Sequence, residues 1–183
     1  MALDGAALGA LIKSQVEVAD PQDRAGQFAG MGAAIVAHIE GFGIAVVPGV
    51  LAGPGGVLGA ITGIDGSALG DLIKASIESV DPKDRVAIFQ ELGGAIVAGV
   101  MSAVVAVVGV TAGPATALGS ITGMDGGILG GLIKDVIESA DPKDRVAVFE
   151  NMGSAIALHI MARGRVAVPG ITPGGAGVPG SIT

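Results

Sequence analysis

The chain has 183 residues, half of them apolar, a net charge of −7 and no cysteine, so disulfides and thiolate metal sites are excluded. It contains four Phe, no Tyr and no Trp, which argues against sugar sites and base-stacking surfaces because these use aromatic side chains. Ten Lys and Arg spread along an acidic chain do not make the basic surface that nucleic acids require. We therefore predict no nucleic-acid partner and no cofactor.

One block of sequence occurs three times along the chain. Asp4-Gly5 recurs as Asp65-Gly66 and as Asp125-Gly126, at steps of 61 and 60 residues. An Asp-Pro-x-Asp-Arg motif and a terminal Ile-Thr pair recur at matching places in each block. Because whole blocks match, the sequence predicts three tandem units, 1–63, 64–123 and 124–183. Each unit is too small to bury much surface alone, so we expect the units to pack on one another.

Each unit opens with a predicted helix, which we call helix A, over about residues 4–18 in the first unit. The Asp of the Asp-Gly pair is a suitable N-cap, and apolar residues then recur at helical spacing. Helix A also carries glycines four residues apart, a spacing that allows close backbone packing: Gly5 and Gly9, Gly66 and Gly70, Gly126 and Gly130. Two interpretations stay open: these faces join neighbouring units, or each lies against the second helix of its own unit.

The second predicted helix, helix B, covers about residues 21–39 and the equivalent ranges. Its Asp-Pro-x-Asp-Arg start predicts the first Asp as N-cap, Pro as first helical residue and the second Asp in the positive first turn. The predicted helix-capping residues are Asp20, Asp81, Asp141, Asp23, Asp84 and Asp144. Since capping explains this spacing, we do not assign the paired carboxylates to a metal.

After helix B the pattern changes to short β-branched runs at 44–47, 104–108 and 165–168. The turn residues Pro48-Gly49, Gly109-Val110 and Pro169-Gly170 end them, and a Gly/Pro loop such as 52–56 follows. Each unit then closes with a strand candidate of the Ser-Ile-Thr type. The sequence thus predicts an α+β fold of three tandem helix-helix-strand units with short β segments after each helical hairpin.

The sequence contains no convincing catalytic or metal constellation. His38 and His159 hold matching positions on helix B, where the second unit has Gly99. Two histidines could share a metal near a common axis, but zinc normally takes four ligands, so we interpret them as partly buried helix residues. The glycine-rich stretches lack the Lys-Ser or Lys-Thr of a phosphate loop. We therefore predict that the protein is not an enzyme.

The main alternative is a membrane-active protein, such as a small pore or a lysis factor. Residues 92–124 contain no charge and are numerous enough to span a bilayer. The equivalent stretches contain Glu40 and Pro48 in the first unit and Arg163 and Arg165 in the third. If the units fold alike, they cannot all span a membrane, so the interpretation without a membrane is favoured. The N-terminus has no basic region typical of a secretory signal, and we expect synthesis in a cytoplasm.

The order of elements resembles short structural proteins of tailed bacteriophages. Those chains have a Met-Ala-Leu-Asp-like start, a helix bearing Leu, Ile and Lys, a second helix with an Ala-Ile segment, a Val-rich strand and a Gly-Ser-Ile-Thr-like end. The matching residues of the third unit are Leu129, Leu132, Ile133, Lys134, Ala155-Ile156, Val166-Ala167-Val168 and Gly180-Ser181-Ile182-Thr183. The resemblance implies a non-enzymatic virion component of the tail or baseplate whose partners are other virion structural proteins. A capsid decoration protein is a weaker alternative.

Three like units can be arranged in two ways. They can close around a pseudo-threefold axis, as repeated interfaces do when they leave no open end, or stack in a line with polar caps at both ends. The end units are not distinctly polar, so we expect closure. Such a protein would suit the axis of a phage tail, as a pseudo-trimeric cap or plug on a trimeric hub or spike.

Overall fold

The computed structural model describes residues 3–47, 57–107, 117–168 and 180–183, in which six helices and six strands form an α+β fold. The predicted turns Pro48-Gly49, Gly109-Val110 and Pro169-Gly170 and the loop 52–56 lie outside the described residues. In chain order the elements are α1 Gly5–Val18, α2 Arg24–Phe42, β1 Ile44–Val47, β2 Val57–Thr62, α3 Gly66–Glu78, α4 Arg85–Met101, β3 Val104–Val107, β4 Ala117–Thr122, α5 Gly126–Ser139, α6 Arg145–Arg163, β5 Arg165–Ala167 and β6 Gly180–Ile182.

The six helices form one closed layer. Each helix contacts the next along the chain, and the last, α6, contacts the first, α1. The pairs α1–α2, α3–α4 and α5–α6 are the predicted helical hairpins. The pairs α2–α3, α4–α5 and α6–α1 join one sequence unit to the next.

The first helix of each unit begins where the sequence predicts. The side chains of Asp4, Asp65 and Asp125 accept hydrogen bonds from amides of the first turn, so each Asp is an N-cap. The second helix begins at Arg24, Arg85 and Arg145, three residues after the predicted proline position.

All six strands pair in a single closed antiparallel barrel, in sequence order, with β6 returning to β1. The sequence predicted short strands but not this closure. In register, Ala45 lies opposite Ile182, and Ile44 and Thr183 exchange backbone hydrogen bonds of 3.1 and 2.9 Å. A closed barrel leaves no unpaired strand edge, which is the usual starting point for unwanted association.

Small residues allow the barrel to close with only six strands. Residues facing inward alternate with residues facing outward along each strand. The inward-facing residues of β1 and β3 are Ala45 and Val47, and Val105 and Val107, all of which are buried. A barrel with few strands has a narrow interior. A Cβ on Gly59 would lie 2.9 Å from Val107 Cγ2, and one on Gly119 would lie 2.7 Å from Val168 Cγ2. These glycines therefore leave the room that the valines opposite occupy.

One continuous apolar core connects the helical layer to the barrel. Its largest fully buried side chains are Leu8, Ile12, Ile35, Ile39, Ile61, Ile73, Ile96, Ile121, Leu129, Ile133, Ile156 and Ile160. The described residues of the charge-free stretch 92–124 are divided between the end of α4, strands β3 and β4 and the start of the third unit. Among the helices of the described residues, none has the length and apolarity needed to cross a membrane.

Candidate functional site

The contacts between sequence units are the candidate functional sites of this protein, because they turn three blocks into one ring. We call the helix pairs α2–α3, α4–α5 and α6–α1 the joints. At each joint, helix A of one unit lies against helix B of the preceding unit, with the first unit following the third. This decides between the two interpretations of the helix A glycines, since they face a neighbouring unit.

The joint between α4 and α5 shows how closely the backbones approach. A Cβ on Gly130 would lie 2.7 Å from Cα of Gln90, and one on Gly126 would lie 2.8 Å from the amide nitrogen of Gly94. Real Cβ atoms are not found so close to backbone atoms. Because backbone cannot rotate away as a side chain can, only glycine fits these two positions without separating the helices.

The other two joints use glycines in the same way. At the α2–α3 joint, a Cβ on Gly70 would lie 2.6 Å from Cα of Ala29. At the α6–α1 joint, a Cβ on Gly9 would lie 2.5 Å from Cα of Glu150. All six predicted close-packing glycines thus face backbone of a neighbouring unit: Gly5, Gly9, Gly66, Gly70, Gly126 and Gly130.

Besides the two glycines of helix A, each joint contains one glycine of helix B, which was not predicted from the sequence. Gly32, Gly93 and Gly153 hold the same position in each unit, and a Cβ there would meet backbone atoms of the facing helix A. The sequence contains a signal for it, because glycine inside a helix lowers helix stability by about 1 kcal/mol relative to alanine. Its recurrence in three helix interiors at one repeat position indicates a packing requirement.

Charged pairs cross two of the joints at the surface. Arg85 lies 3.4 Å from Glu138, and Arg145 lies 3.4 Å from Glu17. Hydrogen bonds from Lys134 and Lys13, assisted by these arginines, lower the pKa values of Glu138 and Glu17. Exposed pairs of this kind contribute little stability, so the joints depend mainly on helix packing.

The N-caps of helix B are Asp23, Asp84 and Asp144, which corrects the prediction of Asp20, Asp81 and Asp141 as N-caps. Asp84 accepts a 3.0 Å hydrogen bond from the Ala87 amide. Asp81 instead accepts one of 2.9 Å from the Lys83 amide, and its carbonyl accepts another from the Asp84 amide. Asp81 and Pro82 therefore open a tight turn before the helix, which is as compatible with Asp-Pro as a helix start is.

Replacing the observed cap should destabilise the protein more than replacing the turn residue. Asp84→Ala is expected to lower the free energy of unfolding by about 1 kcal/mol, because the Ala87 amide loses its acceptor. Asp81→Ala should cost less, since the bond that is lost lies in the turn before the helix and caps no helical amide. Urea unfolding of both variants checks this, and a larger loss for Asp81→Ala would contradict the assignment.

The two histidines are structural residues inside their own units. His38 Nε2 accepts the Asp4 amide at 3.2 Å, and His159 Nε2 accepts the Asp125 amide at 3.3 Å. Both residues are buried, and burial lowers both pKa values from 6.5. Since each Nε2 lone pair is already engaged with an amide, it is not free to bind a metal.

These histidines should make stability depend on pH. In the unfolded chain they take up protons near pH 6.5, whereas the folded chain resists protonation, so the free energy of unfolding should fall as the pH drops below about 6.5. His159→Gln provides a non-titrating acceptor for the Asp125 amide and should reduce this fall between about pH 7 and 5. Urea titrations at several pH values measure it, and an unchanged slope would contradict a neutral, buried His159.

Within residues 3–47, 57–107, 117–168 and 180–183, no three His, Cys, Asp or Glu side chains gather as metal ligands would. Comparison of the chain with family models, with curated proteins and with solved structures gave no match.

Proposed function

We propose that this chain is a non-enzymatic virion structural protein, a bacteriophage tail or baseplate component that works by protein-protein packing. The observation that carries the proposal is ring closure: β6 pairs with β1, and α6 packs against α1. A closed ring offers neither an open repeat end nor a free strand edge, so it is suited to a fixed number of contacts in an assembly.

We also propose a pseudo-threefold axis through the ring. The three joints support this axis because they have glycines at the same repeat positions, such as Gly9, Gly70 and Gly130. Strand pairing gives further support, because each unit's last strand pairs with the first strand of the next unit. Substitutions between units, such as Gly99 for histidine, are compatible with this because one chain need not be strictly symmetric.

An object of this kind presents three similar surfaces around one axis. On a tail it would act as a cap or plug that contacts the three chains of a trimeric hub or spike. Its partners would then be other virion structural proteins, with no nucleic acid and no membrane, and its location would be the virion after synthesis in the host cytoplasm.

Immunogold labelling of purified particles tests this role. An antibody against the chain should label the tail tip or baseplate of phage particles whose genome encodes it. Particles from which the coding sequence has been deleted provide the control. Label over the head would favour capsid decoration. Absence from particles, together with protease protection of 92–124 in liposomes, would favour the membrane-active alternative.

A further inference from the structure

The second unit lacks an imidazole that the other two units contain. Its sequence Gly93-Gly94-Ala95-Ile96-Val97-Ala98-Gly99 aligns with the segments that end in His38 and His159. Each of those residues lies fifteen positions after its N-cap, Asp23 or Asp144, as Gly99 does after Asp84. Residues 38, 99 and 159 are therefore equivalent positions within one chain.

An open cleft lies at Gly99, where the other two units have a histidine. It has a volume of about 250 Å³ and lies between α3 and α4, with Ile64, Ala68, Leu72 and Ala98 among its apolar lining residues. Leu69 Cδ1 lies 2.6 Å from the position that a Cβ on residue 99 would have, so Leu69 packs against the backbone of Gly99. The remaining space is large enough for a five-membered ring.

The second unit retains the backbone amide that donates a hydrogen bond to the imidazole in the first and third units. Asp65 lines the cleft, and it is equivalent to Asp4 and Asp125, whose amides donate to His38 and His159. Among the described residues, no group accepts a hydrogen bond from the Asp65 amide. Oδ1 of the Asp65 carboxylate accepts hydrogen bonds from the Ser67 and Ala68 amides and so caps α3, as the Asp4 and Asp125 carboxylates cap their own helices.

We infer that the cleft between α3 and α4 at Gly99 is a binding site for an uncharged azole ring, the ring that a histidine side chain carries. The ring nitrogen accepts the Asp65 amide, and the ring faces contact Leu69 and Leu72. Because the other two units supply this ring from their own α2 and α6, the site occurs once in the ring of helices. It does not depend on which assembly contains the protein.

Nuclear magnetic resonance titration of the full chain with imidazole tests the site. The Asp65 amide should shift saturably, with a dissociation constant on the order of 1 mM, because so small a ligand makes few contacts. Pyrrole has the same size but no acceptor nitrogen, and it should bind at least about tenfold more weakly because the amide stays unpaired. N-acetyl-histidine amide distinguishes the source of the ring: binding comparable to imidazole indicates a partner's histidine, and loss of binding indicates a free azole.

Two variants provide controls. Gly99→His should fill the cleft and abolish the imidazole response, while His159→Gly should create a second site reported by the Asp125 amide. If His159→Gly folds poorly, imidazole should raise its melting temperature and pyrrole should not. Equal binding of imidazole and pyrrole, or no saturable shift at Asp65, would overturn the inference.

Discussion

Gly130→Ala is expected to lower the free energy of unfolding by about 3 kcal/mol, although alanine is the better helix residue. The added methyl group would lie 2.7 Å from Cα of Gln90, so α4 and α5 must separate. Overpacking usually costs 1–3 kcal/mol, and the upper end applies here because the obstructing atoms belong to the backbone. Urea unfolding with linear extrapolation measures the loss.

The neighbouring residue provides a matched control. Gly131 lies on the same helix, and a Cβ there would have no atom within 4 Å. Gly131→Ala should therefore stabilise the protein by about 1 kcal/mol through helix propensity alone. If both variants gained stability, α4 and α5 would not be in backbone contact, and the joint would be wrong.

Ile182→Ala is expected to cost about 2–5 kcal/mol, the range for removing most of a buried isoleucine side chain. Ile182 lies in the last strand and is 1 % exposed, because β6 is held between β5 and β1. A large loss would therefore measure barrel closure rather than ordinary burial.

Two internal isoleucines calibrate this effect. Ile61 and Ile121 hold the equivalent positions in β2 and β4 and are also buried. Closure predicts that Ile61→Ala, Ile121→Ala and Ile182→Ala destabilise the protein by similar amounts, as melting curves and urea titrations can show. A loss below about 0.5 kcal/mol for Ile182→Ala alone, typical of surface positions, would mean that β6 is not a full strand of the barrel.

The sequence predicts local elements well because their signals are local. The Asp4-Gly5 start places α1 within one residue, and the β-branched run at 44–47 gives β1. Asp81-Pro82 misplaces the start of α4 because the same dipeptide suits both a tight turn and a helix N-terminus, and only tertiary structure selects between them.

Local signals of this kind do not predict closure of the barrel. The pairing of Ala45 with Ile182 joins the first unit to the third, and nothing in strands of three or four residues specifies so distant a partner. The helix A glycines, and the recurrence of Gly93 at matching positions on helix B, indicate close helix packing but not which unit each helix contacts. The azole site at Gly99 likewise requires the position of the Asp65 amide, which spacing alone does not provide.

Circular permutation tests the closed ring most directly. Thr62-Gly63-Ile64 and Thr122-Gly123-Met124 connect neighbouring units, and Gly63 and Gly123 have φ values of +83° and +86° that favour glycine. Joining Thr183 to Leu3 through one added glycine recreates this connection, and the new chain then begins at Ile64 and ends at Thr62. Ring closure predicts cooperative unfolding with a free energy within about 2 kcal/mol of the parent chain, since only a short connection has moved. Failure to fold, or a non-cooperative transition, would contradict the closed ring.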